Sequence, residues 1–117
     1  MSPLTKFIAA AAVAASTVAA YSGDMTYFYP RGVKGLGACG GTNNQGDAVV
    51  ALSPSEYSGG SHCGQWITIQ GNGHTTAAQV VDECPGCASG SIDVSPAIFD
   101  DIADLSVGRI GVTWWFQ

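Results

Sequence analysis

A mainly β fold, a small closed barrel of about six short strands with one or two short helices, is what this sequence predicts. Three observations carry that expectation. No long stretch places apolar residues at helical spacing; several short stretches alternate apolar with polar residues, as half-buried strands do; and the chain holds 16 glycines with only 11% charged residues. Its 117 residues suffice for one compact domain and not for two.

Residues 1–20 read as a leader rather than as part of the fold. Lys6 precedes an alanine-rich apolar run over 7–15, and Val18-Ala19-Ala20 supplies small residues before a cut, the pattern of a secretory signal peptide. A membrane anchor would need roughly 20 strongly apolar residues, and Ser16, Thr17 and the alanines make this run too short and too weak. The folded domain is therefore expected over 21–117, in an extracellular protein.

Along that domain, Met25, Tyr27 and Tyr29 alternate with Thr26, Phe28 and Pro30 as a first strand would. Residues 31–46 are glycine-rich and read as a long loop pinned by Cys39. A short apolar strand follows over 48–52. Ser53-Pro54-Ser55-Glu56 then combines an N-cap serine, a proline at the first helical position and a glutamate within reach, the signature of one helical turn that Gly59-Gly60 ends. Residues 65–70 and 75–82 favour strands, and Gly71-Asn72-Gly73 between them signals a tight hairpin. Ser95-Pro96 repeats the cap-and-proline signal ahead of Ile98, Phe99, Ile102 and Leu105, which share one helical face with Asp100, Asp101 and Asp104 outside it. Ile110, Val112, Trp114 and Phe116 alternate with Gly111, Thr113 and Trp115 in a closing strand.

Four cysteines in a short chain that passes through an oxidising compartment imply two disulfides, for which sequence allows three pairings. Cys39–Cys63 with Cys84–Cys87 is preferred, because the Pro85-Gly86 turn brings its flanking sulfurs together. A zinc site is disfavoured, since Cys39 and Cys63 lack paired metal-knuckle spacing, and no cofactor is expected. Charge narrows the partners. Without residues 1–20 the domain holds three basic against nine acidic residues, a net charge of −6, which repels a phosphate backbone. Nucleic acid and anionic membranes are poor candidates; a neutral polymer meets no such penalty.

The segment Val80-Val81-Asp82-Glu83-Cys84-Pro85-Gly86-Cys87 followed by Ile92-Asp93-Val94-Ser95 is where fold and chemistry meet. A β-branched run ends at Asp82, a stapled turn follows, and a second apolar stretch returns Asp93 toward the same end, so that two carboxylates can face one groove. With Thr26-Tyr27-Phe28, Gly37-Ala38-Cys39-Gly40, His62-Cys63-Gly64 and Thr113-Trp114-Trp115, this array resembles the single-domain fungal expansin relatives called loosenins. These group with rare lipoprotein A, barwin and the first domain of expansins. The resemblance implies a six-stranded double-psi β-barrel with an open groove, in which Asp93 is a general acid or its relic, Asp82 ends the preceding strand, and Thr26 and Tyr27 flank them.

It further implies a protein that loosens cell-wall polysaccharide (cellulose, xyloglucan or chitin) without hydrolysis; a monomer is the default for so small a secreted barrel. Hydrolysis with inversion needs a protonated carboxyl and an ionised one roughly 6.5–9.5 Å apart, and the second partner is not evident here. Exposed aromatics stack on the apolar faces of sugars, and Tyr27, Tyr29 and Trp115 are the candidates. Trp114 shares the apolar face of its strand and belongs to the core, where Trp66 is also expected; His62 and His74 read as loop and strand-start residues. Asp82 has a structural role open to it too, as an acceptor for backbone N–H groups of the adjoining turn. Two further readings of the same scaffold are a glycoside hydrolase or lytic transglycosylase, and a barwin-like protease inhibitor or effector.

Overall fold

A computed structural model describes residues 18–30 and 37–117. The expected leader, apart from its last three residues, and the first part of the 31–46 loop lie outside the described residues. Six strands close into a barrel: β1 (Tyr21–Tyr27), β2 (Val49–Leu52), β3 (Trp66–Gly71), β4 (His74–Glu83), β5 (Ile92–Val94) and β6 (Ile110–Phe116), in the circular order β1-β5-β2-β4-β3-β6. β1 pairs parallel with β5 and β2 parallel with β4, whereas the other four seams are antiparallel. Closure removes the free edges that an open sheet of this size would expose.

Alternation decides what fills the barrel. Met25, Val50, Leu52, Ile67, Ile69, Ala78, Val80, Ile92, Val94, Val112 and Trp114 point inward and are buried, joined by Ile98, Phe99 and Ile102 of helix α2 (Pro96–Ile102). The β3–β4 hairpin turns at Asn72 and Gly73, both at positive φ (52° and 77°), as a two-residue primed turn requires. β1 begins at Tyr21 and ends at Tyr27, so Tyr29 falls in the following coil and is 57% exposed. Leu105, expected on α2, instead sits in a separate 3-10 turn, Leu105–Val107, after the helix stops at Ala103.

Both serine-proline signals open short helices, α1 (Pro54–Tyr57) and α2, yet neither serine side chain caps its helix. The hydroxyl of Ser95 donates to the Asp47 carbonyl at 2.5 Å. That of Ser53 donates to Glu56 Oε1, and Glu56 turns inward to accept also from Ser55, Ser89 and the backbone N–H of Gly90. The expected local capping box is thus spent on a long-range link between α1 and the chain just before β5.

Cys39–Cys63 and Cys84–Cys87 are bonded. The first closes a sequence separation of 24 residues and the second one of 3. On loop-closure entropy alone, replacing the first pair by serine should lower unfolding free energy by roughly 3.5 kcal/mol and the second by roughly 2 kcal/mol, readable as a difference in urea midpoints at equal slope.

Candidate functional site

The residues of the site lie in one row across four strands. Thr26 pairs with Asp93 between β1 and β5, Asp93 with Ala51 between β5 and β2, and Ala51 with Asp82 between β2 and β4. Directly paired residues share a face, so all four point outward. Thr26 Oγ1 donates to Asp93 Oδ1 at 3.0 Å. Ala51 offers only a methyl group between the two acids, whose Cα atoms are therefore about two strand spacings, roughly 10 Å, apart.

Asp82 reaches this face only because β4 carries a bulge. The register with β2 shifts between Val50, opposite Val80, and Ala51, opposite Asp82, leaving Val81 as the extra residue. Without it Asp82 would continue the inward parity of Ala78 and Val80. The Val81 carbonyl accepts from Cys39 N–H at 3.1 Å, and the loop carrying Ala38 and Cys39 lies directly against it. A Cβ on Gly37 would stand 2.4 Å from that carbonyl oxygen, so only glycine permits the approach. Asp82 Oδ1 accepts from the N–H groups of Ala38 and Glu83, both at 2.8 Å. It therefore fastens the loop as well as facing the groove.

Beside this row a cleft of about 290 Å³ opens between β1 and the disulfide-closed loop 84–87. Thr26, Asp24, Ser91 and Arg109 line it with Cys84 and Cys87, and Arg109 pairs with Asp24 at 3.3 Å. Asp24 and Arg109 escaped the sequence reading. The signal for Asp24 was present: it stands two residues from Thr26 on the same strand and so on the same face.

Asp93 is half-buried. Burial pushes its carboxyl above the usual range, the Thr26 hydrogen bond pulls it down, the Asp82 charge pushes it up and Arg109 pulls it down, with burial prevailing. Glu56 goes the other way. Burial raises it, but donation from Ser53, Ser55, Gly90 and Ser89 outweighs burial and holds it below 4.5.

The remaining expected residues are placed apart from the row. Tyr27 turns to the core side, its ring against Phe99 and its hydroxyl on the Leu105 carbonyl at 3.0 Å, while Tyr29 meets it edge-on at the barrel end. Trp115 faces outward on β6 opposite Thr68 of β3, on the far side of the barrel. Trp66, expected in the core, is 41% exposed, because Ile67 and Ile69 take the inward parity of β3. His62 stacks on Phe116 with ring centres 4.2 Å apart. Among the described residues no group of three metal-binding side chains gathers, and no helix is long and apolar enough to cross a membrane.

A closed six-stranded barrel with two parallel seams and an open acidic row defines the class, a double-psi β-barrel with a surface groove. No protein-family model matches the chain. Allergen Asp f 7 of Aspergillus fumigatus is 36% identical over 97 residues, 81% of this chain and 36% of that protein. The papain inhibitor of Streptomyces mobaraensis is 32% identical over 103 residues, covering 81% of this chain and 70% of the inhibitor. A solved Streptomyces papain inhibitor superposes with a TM-score of 0.72 at 30% identity, over 84% of this chain and 94% of that one. The expansin of Clavibacter michiganensis superposes with a TM-score of 0.78 at 27% identity, over 85% of this chain and half of the expansin. The chain thus spans 36% of the allergen and 50% of the expansin. It belongs to the barwin-like and expansin-like family of double-psi β-barrels.

Two pH effects of opposite sign follow. Glu56 has a folded-state value below its unfolded 4.5, so its contribution is complete above pH 4.5 and is lost as pH falls through the lowered value. Glu56→Gln should cost about 2 kcal/mol at pH 7 and much less at pH 3. Asp93 has a folded-state value above its unfolded 3.8, so it favours the fold fully below pH 3.8 and loses that contribution as pH rises through the raised value. Asp93→Asn should therefore unfold at a urea concentration equal to or above wild type at pH 7, with the gap closing near pH 3.

Proposed function

We propose that this protein is a secreted, monomeric polysaccharide binder that loosens packed cell-wall cellulose, xyloglucan or chitin without cutting it. The observation that carries the reading is the outward row Thr26–Asp93–Ala51–Asp82 beside an open cleft, with Asp93 shifted toward its neutral form. Thr26 Oγ1 and Asp93, joined by one hydrogen bond and both facing outward, can together meet two hydroxyls of one sugar. Interchain hydrogen bonds in a packed polymer contribute about 1 kcal/mol each, so a groove that replaces several at once can lift a chain free. Asp82, whose Oδ1 already holds two backbone N–H groups, is poorly placed to activate water, which favours binding over hydrolysis. An aspartate-to-asparagine variant of the Clavibacter expansin has been solved in complex with cellohexaose, and this supports a glucan as the ligand class.

A second reading, inhibition of a cysteine protease, is favoured by the papain-inhibitor match, which runs through 94% of the solved inhibitor. One experiment separates the two. Sedimentation with insoluble cellulose and chitin, reducing-sugar assay of the supernatant and papain inhibition are measured together for the native chain, Asp93→Ala and Thr26→Val. The expected result is retention on the solid, no sugar release, no papain inhibition, and a roughly ten-fold weaker retention for each variant. Papain inhibition without retention assigns the second reading instead, and sugar release lost in Asp93→Ala assigns hydrolysis.

A further inference from the structure

The wall of the barrel opposite the acidic row is left unused by that reading. In the circular order of strands, β3 lies across from β5 and β6 across from β2. The outward positions there are Trp66, Thr68 and Gln70 of β3, Thr113 and Trp115 of β6 with Gln117 beyond it, and residues 75, 77 and 79 of β4. None of these side chains carries a charge, in a chain whose net charge is −5. Trp66 is 41% exposed and Trp115 partly so. Thr68 faces Trp115 directly, which puts Trp66 diagonal to Trp115 with Cα atoms about 7–8 Å apart, within the span of two indole rings.

The polar groups around them are held in place. Gln117 Nε2 donates to Thr68 Oγ1 at 3.1 Å, and its main-chain N–H donates to the Trp66 carbonyl at 3.0 Å. Gln79, opposite Trp66, donates its Nε2 to the Gly64 carbonyl at 3.0 Å, which leaves its Oε1 directed away as an acceptor. A shallow depression of about 360 Å³ beside Gln79, lined by Gly41, Asn43, Gly64 and the Cys39–Cys63 bridge, extends this surface.

We propose that Trp66 and Trp115, with Gln79 and Gln117 as hydrogen-bonding partners, form a second contact surface for a neutral polysaccharide chain, separate from the acidic groove. The chemistry selects this occupant. Indole faces stack on apolar C–H surfaces, fixed side-chain amides meet hydroxyls, and a wall without charged side chains does not select ionic ligands through them. Because the two faces look in opposite directions, the wall holds a different polymer segment from the one in the groove. The proposal rests on the reading of the ligand as a glycan, and its test keeps the two apart.

Retention on insoluble cellulose and chitin is compared for the native chain, Trp66→Ala, Trp115→Ala, the double variant and the groove variant Thr26→Val. Tryptophan emission is titrated with cellohexaose in each. All these positions are outward, so melting temperatures should stay near wild type; Gln79→Ala is a milder variant should the double one unfold. Each tryptophan variant should weaken retention roughly ten-fold, and the emission change should survive in Thr26→Val but vanish in the double variant. Folded tryptophan variants retained like wild type would overturn the second surface and leave the groove intact. So would an emission change abolished by Thr26→Val, or tryptophan variants that alter only a monomer–dimer equilibrium. Failure of the native chain to bind either solid would overturn both readings.

Discussion

Gly90 is the point on which the site is hung. Its φ of +86° is a conformation that side chains other than glycine's rarely adopt, and a Cβ there would stand 2.2 Å from the Ser22 carbonyl oxygen. Its N–H is held by Glu56 at 2.6 Å and its carbonyl by the indole Nε1 of Trp114 at 2.8 Å. So α1, the core of β6 and the backbone of β1 all converge on the residue two before Ile92. Because β5 is only three residues long, it has little register of its own, and this anchor determines that Asp93 rather than a neighbour meets Thr26. A one-residue slip would turn Asp93 into the core and bring Ile92 or Val94 out.

The second constraint is the bulge at Val81. A regular β4 cannot present both Val80 to the core and Asp82 to the groove in the pairing observed with β2. The extra residue resolves this by turning one carbonyl outward, and that carbonyl is then taken by Cys39 N–H, whose own position is fixed by the bond to Cys63. Each irregularity is satisfied by the next: bulge, close-lying loop, disulfide. Asp82 closes the set by accepting from Ala38 on the same loop, so the carboxylate on the outward face also restrains the wall beside it.

These two features mark what the sequence could and could not disclose. Alternation over 110–116, the Gly71-Asn72-Gly73 turn and the proline-led helices are local signals, and the barrel built from them follows from strand number and the absence of long helices. The two carboxylates were legible because a stapled turn separates them. The parity of Asp82 was not, since a bulge is defined by the partner strand and leaves no mark in its own. Tyr27 was open between core and groove for a related reason: alternation with Met25 is compatible with either, and in the barrel it lies on the core side while its neighbour Thr26 faces the groove. Trp66 went the other way, because a lone tryptophan between Gln65 and Ile67 carries no sign of which parity the barrel will choose. Glu56 was seen as half of a local cap, whereas its four donors include two that lie more than thirty residues away, a relation only the closed barrel creates.

If both proposed faces bind glycan, their placement on opposite walls would bear on how a protein could act on a solid without making or breaking a covalent bond. A single groove competes with one face of the packed polymer and pays the full entropic cost of holding a chain for a few hydrogen bonds. Two faces that look away from one another cannot flatten onto one chain, so each must take a different one, and capture by the first raises the effective concentration of the second. A barrel that held two chains in this way would be a spacer between them, its wall closed and braced by the Cys39–Cys63 disulfide. On the proposed reading, separation of the chains would follow from the closed barrel and the direction of its two faces, and weak contacts would suffice at each because neither would have to hold alone.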